Sequence, residues 1–382
     1  MDIDPAEYCA PVVTPSPMKA SKGILLIADI TGYTMYLNDS ELEHAHGVLT
    51  QLLGVLVEGT RPPLSVSNLQ GDAVFSYGID SGVVGGQTFV EIVEDIYVEF
   101  RRAIEQMVMN STCGCNACAN LGKLDLKFIV HHGEFLVQNI GGSQELVGSD
   151  VIIAHRLAKN TVTATTGVRA YALYTAAAVE ALGIGALTED WIPHRETYDA
   201  GEVEAWVSDI SPVWEEAKTH TATTIDESEY RGKTSVDITA PIEQVWDRLA
   251  DPGFRRILVG SDRQVREGSP GGRVGPGDVY QCYHGEAIQP STIVEWVPFR
   301  RMLTKDDDIH LPGATVDILV DYRLEPIESG TRLTMGGARP QGTESAREVF
   351  LSMDEPLKAR LTEALHEFKG QVEESLAGTR RK

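Results

Sequence analysis

The chain has 382 residues, of which 42% are hydrophobic and 23% are charged, a composition typical of a globular protein with two domains. Its formal net charge of −23 argues against nucleic acid and anionic membrane surfaces as partners, because both attract basic proteins. No stretch reaches the ~20 apolar residues of a membrane helix, and no secretory signal pattern is present. Five cysteines, three of them clustered, favour a reducing compartment, so we expect a cytoplasmic protein.

In the first half, apolar runs and amphipathic segments interleave as in a sheet covered by helices. Residues 1–20 are proline-rich and predict an extended leader. Strands are predicted over residues 23–30, 64–69, 73–77, 124–130 and 200–208. Helices are predicted over residues 42–56, 88–108, 151–158 and 175–182. Together these elements predict an α+β domain over residues 21–215.

The second half has a different order of elements. Polar residues 216–231 predict a linker, and Ala240-Pro241 then begins a short helix with proline near its first turn. Strands are predicted over residues 234–238, 278–283, 291–296, 314–324 and 331–336. An amphipathic helix is predicted to end at Leu376. One short helix, a run of antiparallel strands and one long terminal helix predict a helix-grip domain over residues 232–378.

Two carboxylates in the first half lie at the ends of predicted strands. Asp29 precedes Ile30-Thr31-Gly32, and Asp72 lies in the turn between two hairpin strands. Carboxylates on adjacent strand ends can share a divalent cation, which neutralises the charge of a polyphosphate. Each motif alone is an ordinary turn or strand end, so the prediction of metal binding depends on their occurrence together.

Four motifs in sequence order resemble class III adenylyl and guanylyl cyclases. They are Ala28-Asp29-Ile30-Thr31-Gly32, Gly71-Asp72, His132-Gly133-Glu134 as a turn after a central strand, and Gly148 to Leu157 with Arg156. The resemblance covers residues 20–210 and implies a ferredoxin-like βαββαβ sheet. In this family the active site lies between two such domains, so the resemblance also implies a homodimer.

The resemblance assigns roles to particular residues. It implies that Asp29 and Asp72 bind Mg²⁺ or Mn²⁺ and that Arg156 stabilises charge on the α-phosphate of a nucleoside triphosphate. It assigns nucleotide binding to Ile30, Thr31, Gly32, Asn68 and Glu145. The expected reaction forms a cyclic nucleotide and releases pyrophosphate.

Several positions depart from the family pattern. The residue that positions the ribose is Ile152 instead of Asn, and the purine-reading Lys is Asn68. The late Lys that holds the terminal phosphates has no match in the strand that contains Trp206. The residues that could replace it are Lys19, Lys22, Lys159 and Arg195. These departures fit a cyclase with altered base specificity, and they also fit a degenerate domain that senses nucleotide or forms dimers.

Cys113, Cys115 and Cys118 place three thiols within six residues. This spacing suits zinc ligation better than an unstrained disulfide, although ordinary reduced cysteines are the alternative. His131, His132 and Cys9 are the candidates for a fourth ligand. His44 and His46 lie on a predicted amphipathic helix and are expected to be surface residues.

Residues 232–378 resemble the START-like superfamily, which includes polyketide cyclases and dehydrases (SRPBCC). The motifs are Ala240-Pro241 to Val245-Trp246, Glu295-Trp296 before Pro298, and Gly330-Thr331 to Thr334. The resemblance implies an apolar cavity for a small hydrophobic ligand, and hence a sensor of that ligand. A polyketide cyclase or aromatase activity in this cavity is a second alternative, but no catalytic set is recognisable there.

Overall fold

The computed structural model of the chain describes residues 19–60, 62–140, 143–199, 201–267 and 272–379. The predicted leader lies outside these ranges except for its last two residues. The strands within them are β1 (Ser21–Thr31), β2 (Ser65–Gln70), β3 (Ala73–Ile79), β4 (Asp125–Ile140), β5 (Ser143–Val147), β6 (Tyr171–Thr175), β7 (Ile192–Tyr198), β8 (Gly201–Asp209), β9 (Arg231–Ile238), β10 (Arg263–Arg266), β11 (Val279–His284), β12 (Ala287–Val297), β13 (Arg301–Leu311), β14 (Ala314–Ile327) and β15 (Gly330–Gln341). The α-helices within them are α1 (Tyr33–Asn38), α2 (Leu42–Thr60), α3 (Gly86–Asn110), α4 (Asn116–Asn120), α5 (Ser149–Leu157), α6 (Val162–Thr166), α7 (Ala176–Leu182), α8 (Ser211–Thr219), α9 (Ile242–Ala250), α10 (Pro252–Val259), α11 (Glu344–Ser352) and α12 (Asp354–Thr379).

Strands β1 to β8 form a mixed sheet in the order β2-β3-β1-β4-β6-β8-β7, and β5 pairs with β4. The pair β4–β6 is parallel, whereas β1 is antiparallel to both β3 and β4. The order of the first four strands, with α2 and α3 as the connecting helices, is that of a ferredoxin-like βαββαβ unit. The α+β class predicted for this half is therefore confirmed.

Helices cover both faces of this sheet. On one face Leu26 packs in a core with Leu52 of α2 and Phe100 of α3. On the other face Ile27 packs with Phe75 and with Leu157 of α5. Neighbouring residues of β1 thus enter different cores, as the alternation of side chains along a strand requires.

Strand β4 is longer than the sequence predicts. The motif His132-Gly133-Glu134 was expected to form a turn, but it continues the strand and pairs with β1. The expectation of a turn was therefore wrong. A Cβ atom at Gly133 would lie 2.2 Å from Cγ of Asp150, whose carboxylate accepts the Glu134 N–H at 2.7 Å. Gly133 is thus required by the close approach of α5.

Strands β9 to β15 form an antiparallel sheet in the order β10-β11-β12-β13-β14-β15-β9. The 26-residue helix α12 packs against it through Leu365, Phe368 and Val372, which are fully buried. This arrangement is a helix grip, as predicted, although the sequence did not predict β10 or β13. None of the helices in the described part of the chain is long and apolar enough to cross a lipid bilayer.

The polar segment between the two sheets is fixed in place. Its Thr223 N–H donates to the Glu295 carboxylate at 2.9 Å, and Arg301 donates to the Thr223 carbonyl at 2.6 Å. Ile225 is buried against Leu303 of β13. The segment expected to be a linker therefore packs along the second sheet.

Candidate functional site

The two carboxylates singled out by sequence lie side by side. Asp29 is near the end of β1, and Asp72 lies in the turn that joins β2 to β3, where its carbonyl accepts the Ile30 N–H at 3.2 Å. Burial raises the pKa of Asp29, Lys127 opposes the rise and the neighbouring charge of Asp72 adds to it. Burial also raises the pKa of Asp72. Two partly buried carboxylates with raised pKa values favour the binding of a cation.

Lys127 is a charged neighbour that the sequence did not indicate. It lies opposite Asp29 in the β1–β4 pairing, and its Nζ is 3.6 Å from Oδ2 of Asp29. The same ammonium donates to the Ala158 carbonyl at 2.9 Å. Lys127 therefore supplies positive charge at the place where a divalent cation is expected.

The loop after Asp29 turns sharply into α1. Gly32 has φ of 91°, in the left-handed region that favours glycine, and its carbonyl accepts the Tyr36 N–H at 3.0 Å. The hydroxyl of Thr31 is buried and has no hydrogen-bond partner within the described residues. The Ile30 side chain is buried in the core, so it is unavailable to a nucleotide. Thr31 and Gly32 are each partly exposed, so they are the residues of this loop that could face a ligand.

The two predicted base-reading residues are in contact. Nδ2 of Asn68 in β2 donates to Oε2 of Glu145 in β5 at 2.9 Å, and Oδ1 of Asn68 accepts from Gln70 at 3.1 Å. An amide and a carboxylate together offer the donors and acceptors that a base edge requires. The structure thus brings together two residues that are 77 positions apart in the sequence.

Arg156 lies on α5, and its contacts are local. Its guanidinium is 4.0 Å from the Asp199 carboxylate and 5.9 Å from the centre of the Tyr198 ring. The neighbouring His155 packs edge-on against Phe75 of β3. Ile152, at the position expected to hold the ribose, is 57% exposed. A residue with such exposure is open to a second subunit.

The donor set fits a divalent cation, because carboxylate oxygens are the ligands that Mg²⁺ and Mn²⁺ prefer. Lys127 must move away from Asp29, or remain as a further contact for phosphate, if a cation binds there. Arg195 is an unsuitable substitute for the missing Lys, since Glu202 and Glu204 bind it at 2.9 and 2.7 Å. The cation nearest to the carboxylates among the described contacts is Lys127.

The three clustered thiols have a histidine neighbour other than those expected. His131 contacts Thr175 and Asp150, and His132 contacts Asp80, and neither is among the described residues whose ligand atoms cluster with the thiols. Cys9 lies outside the described residues. Instead, Nδ1 of His44 is 3.2 Å from Sγ of Cys115. His44 is exposed, as expected for a surface residue, and it also lies beside a thiol of the cluster.

The second sheet and α12 enclose a cavity of about 290 Å³. Its apolar lining includes Leu258, Ile309, Ile318, Val320, Met335 and Leu361. Ser291 and Asp306 form a polar region, and behind them the buried Arg255 donates to Ser291 at 3.0 Å. A mostly apolar cavity with a few polar groups suits a small organic ligand.

The two halves meet along α3. Glu91 of this helix is 1% exposed, and its carboxylate accepts the indole N–H groups of Trp246 at 2.9 Å and Trp296 at 2.7 Å. Burial raises its pKa to about 7, although the hydrogen bonds from Trp296, Gln87 and Trp246 oppose the rise. Further along the helix, Arg300 binds Asp95 and Glu99 at 2.6 Å. No motif in the sequence indicated this contact.

Comparisons with known proteins agree with this two-part organisation. Residues 231–373 match the family model described as polyketide cyclase/dehydrase and lipid transport, and residues 49–166 match the model described as protein of unknown function (DUF2652). An uncharacterized protein of Mycobacterium tuberculosis is 32% identical over 117 residues, which are 30% of this chain and 52% of that protein. The chain thus spans about half the length of this relative.

Solved structures of cyclases resemble the N-terminal half at low identity. A bacterial light-regulated adenylyl cyclase is 12% identical, with 53% of this chain and 58% of that chain covered and a TM-score of 0.38. A guanylyl cyclase is 16% identical, with 50% of this chain and 93% of that chain covered and a TM-score of 0.40.

Proposed function

We propose that the chain is a metal-dependent nucleotidyl cyclase, which converts a nucleoside triphosphate to a cyclic nucleotide and pyrophosphate under the control of a hydrophobic ligand. The observation that supports this most is the adjacency of Asp29 and Asp72, with the Asn68–Glu145 pair on β2 and β5 of the same sheet. Mg²⁺ or Mn²⁺ held by the two carboxylates supplies charge neutralisation for a triphosphate.

Each residue of the chain has a definite task in this proposal. Thr31 and Gly32 contact the triphosphate, and Asn68 and Glu145 read the base. Arg156 of a second subunit stabilises negative charge on the α-phosphate while the ribose 3′-oxygen bonds to it and pyrophosphate leaves. The functional unit is accordingly a homodimer, in which the exposed side of α5 faces the carboxylates of the other subunit.

The contact along α3 supports regulation by the second half of the chain. Trp246 and Trp296 hold Glu91, and Trp246 lies on α9, which packs under the second sheet. A hydrophobic ligand in the cavity of about 290 Å³ would act on this contact through the sheet that lines the cavity. Coupling requires that the ligand bind two arrangements of the domains with different affinity.

A second candidate function is supported by Lys127. Its ammonium is 3.6 Å from Asp29, and a permanent ion pair at that place would weaken binding of a cation. With Ile152 in place of the ribose-positioning Asn, the domain would then bind nucleotide without turnover, as a sensor or dimerisation module. Zn²⁺ at the cysteine cluster is compatible with either function.

Product analysis with Mn²⁺ and each of ATP, GTP, CTP and UTP tests the proposal. Asp29→Asn and Asp72→Asn should each abolish the product, and Asp190→Asn, at an exposed position, should leave it unchanged. A cyclic nucleotide that is absent from both site variants supports the cyclase. Binding of Mn²⁺ and nucleotide by a dimer that forms no cyclic product from any of the four supports the sensor.

A further inference from the structure

The cysteine cluster is the arrangement of potential ligands that the proposed reaction leaves unexplained. The ligand atoms of His44, Cys113, Cys115 and Cys118 all lie within 4.8 Å of one another. Nδ1 of His44 is 3.2 Å from Sγ of Cys115 and 3.7 Å from Sγ of Cys113. Around a tetrahedral zinc ion with the usual bond lengths, a nitrogen and a sulfur ligand are about 3.6 Å apart, and two sulfurs are about 3.8 Å apart. The two His44–thiol distances lie on either side of the ideal nitrogen–sulfur distance, so a small adjustment of the side chains brings the four atoms around a single ion.

We propose that His44, Cys113, Cys115 and Cys118 bind one Zn²⁺ ion in a closed tetrahedral site. Three thiolates and one imidazole fill all four positions, so the site is structural and leaves no position for a substrate. Thiolate-rich tetrahedral sites select Zn²⁺ over the oxygen-preferring Mg²⁺ and Mn²⁺ expected at Asp29 and Asp72. The chain would thus hold two kinds of metal at separate places.

The backbone around the thiols is already arranged for ligation. Sγ of Cys115 accepts the Cys118 N–H at 3.5 Å, a contact that stabilises a thiolate at the start of α4. Glu41, just before α2, accepts the Ala117 N–H at 3.2 Å and so holds α4 against α2. The ligands therefore come from two segments that are already joined.

The position of the site indicates its role. Helix α1, which follows the Thr31-Gly32 turn, packs against both α2 and α4. Its Tyr36 is buried beside Cys115 and Cys118. An ion that joins α2 to α4 would stabilise the two helices that α1 packs against. It would thereby also stabilise the loop before α1, which is proposed to contact the triphosphate. The zinc site itself does not depend on that proposal and can be tested without nucleotide.

The test measures zinc in the full-length protein purified under reducing conditions without chelator. We expect one zinc ion per chain in the wild type. His44→Ala, Cys113→Ser and Cys115→Ser should each weaken zinc binding in competition with a chelator by at least about 100-fold, more than the loss of an outer partner of a ligand causes. His46→Ala, on the same helix and exposed, and Cys282→Ser, a buried thiol elsewhere, should bind zinc as the wild type does.

Replacement by Co²⁺ reports the ligands directly. The wild type should give the intense visible absorption of a tetrahedral ion and a thiolate charge-transfer band, and this band should weaken by about one third in Cys113→Ser if three thiolates contribute equally. Removal of zinc from the wild type should increase hydrogen exchange at the amides of α1 and leave α12 unchanged, which separates local loosening from unfolding. A wild type that takes up no zinc, or a folded His44→Ala that binds zinc with wild-type affinity, would overturn the proposal.

Discussion

The Asp29–Asp72 pair and Glu91 lie in surroundings that raise the pKa of a carboxyl group, but their partners differ. Burial is the main cause for all three residues. Glu91 accepts hydrogen bonds from two indoles and from Gln87 at 2.7 to 2.9 Å, whereas the charged partner of Asp29 among the described residues is Lys127, at 3.6 Å. Glu91 is thus satisfied by fixed neutral donors, whereas Asp29 is paired with a positive charge at 3.6 Å.

This difference separates a structural carboxylate from a functional one. A raised pKa identifies both as candidates for function, because burial penalises the charged form wherever it occurs. The partners distinguish the two cases. Neutral donors from two domains indicate a structural contact between the domains, whereas two adjacent carboxylates indicate a site that binds a cation. Substitution of the aspartates should therefore lower activity and leave stability unchanged, whereas substitution of Glu91 should lower stability.

The largest expected effect is at the aspartates. Asp29→Asn should lower Mn²⁺ affinity and turnover by about 100-fold or more, because a bound ion contributes several kcal/mol to the stabilisation of charge. The free energy of unfolding should be unchanged or rise slightly, since the neutral amide removes a charge that burial disfavours. Calorimetry with Mn²⁺ and thermal unfolding measure the two quantities. A variant that loses both metal binding and stability would show that Asp29 is structural.

At Glu91 the effects should be reversed. Glu91→Ala leaves the indole N–H groups of Trp246 and Trp296 buried without acceptors, at about 1–3 kcal/mol for each unsatisfied donor. We expect the contact between the domains to weaken by about 2–6 kcal/mol, which urea unfolding followed by tryptophan fluorescence measures. Glu105→Ala, at an exposed position on the same helix, should change stability by less than about 0.5 kcal/mol. Equal stability of the two variants would contradict the assigned role of Glu91.

These two places also show how far the sequence could predict the site. Asp29 and Asp72 were found because each lies in a local motif at a strand end. Glu91 was missed because its partners are 155 and 205 residues away, and the contact of His44 with Cys115 was missed because the two residues are 71 positions apart. An amphipathic pattern predicts that α2 and α3 form, but it does not predict which distant side chains contact the polar residues of these helices.

The fold was predicted more completely than the contacts, for a similar reason. The pattern of apolar residues identified β1 and β3, which are buried along most of their length, and the amphipathic helix α3. It failed at β4, where Gly133 resembled a turn but is required by the carboxylate of Asp150. A glycine required by tertiary packing and a glycine required by a turn cannot be distinguished from one sequence.

A third prediction concerns pH and the contact around Glu91. Its pKa rises from an ordinary 4.5 to about 7, and burial also raises that of Glu243 to about 7. The contact between the domains therefore favours the protonated form of Glu91. The stabilisation of the contact that comes from this preference is complete below pH 4.5 and is lost as the pH rises through about 7. For Glu91 this amounts to about 3 kcal/mol. Tryptophan emission should shift to the red as the contact weakens between about pH 5 and 8.

The control for this prediction is Glu91→Gln, which keeps the size of the side chain and cannot titrate. It should reduce the dependence of the contact on pH in that window, with Glu243 contributing what remains. A pH dependence identical to that of the wild type would assign the titration to other groups. A contact that becomes stronger as the pH rises would contradict the expected weakening on ionisation of Glu91.

The smallest effect is expected at Lys127. It tests directly whether the aspartate pair, unlike Glu91, is open to a cation. Lys127→Met removes the ammonium that is 3.6 Å from Asp29, so Mn²⁺ should bind about 10-fold more tightly without nucleotide, corresponding to about 1–2 kcal/mol of relieved competition. Lys22→Met, at an exposed position of β1, serves as the control and should leave the affinity unchanged. Calorimetric titration with Mn²⁺ measures both.

Turnover of Lys127→Met then shows what the lysine does. If turnover falls while Mn²⁺ affinity rises, Lys127 contacts the triphosphate and replaces the Lys that is missing from the strand of Trp206. If both rise, the ion pair restrains the enzyme, and Asp29 is less open to a cation than Asp72. An unchanged affinity would mean that the lysine withdraws from Asp29 at no cost when the ion binds, so that only the carboxylates determine metal binding.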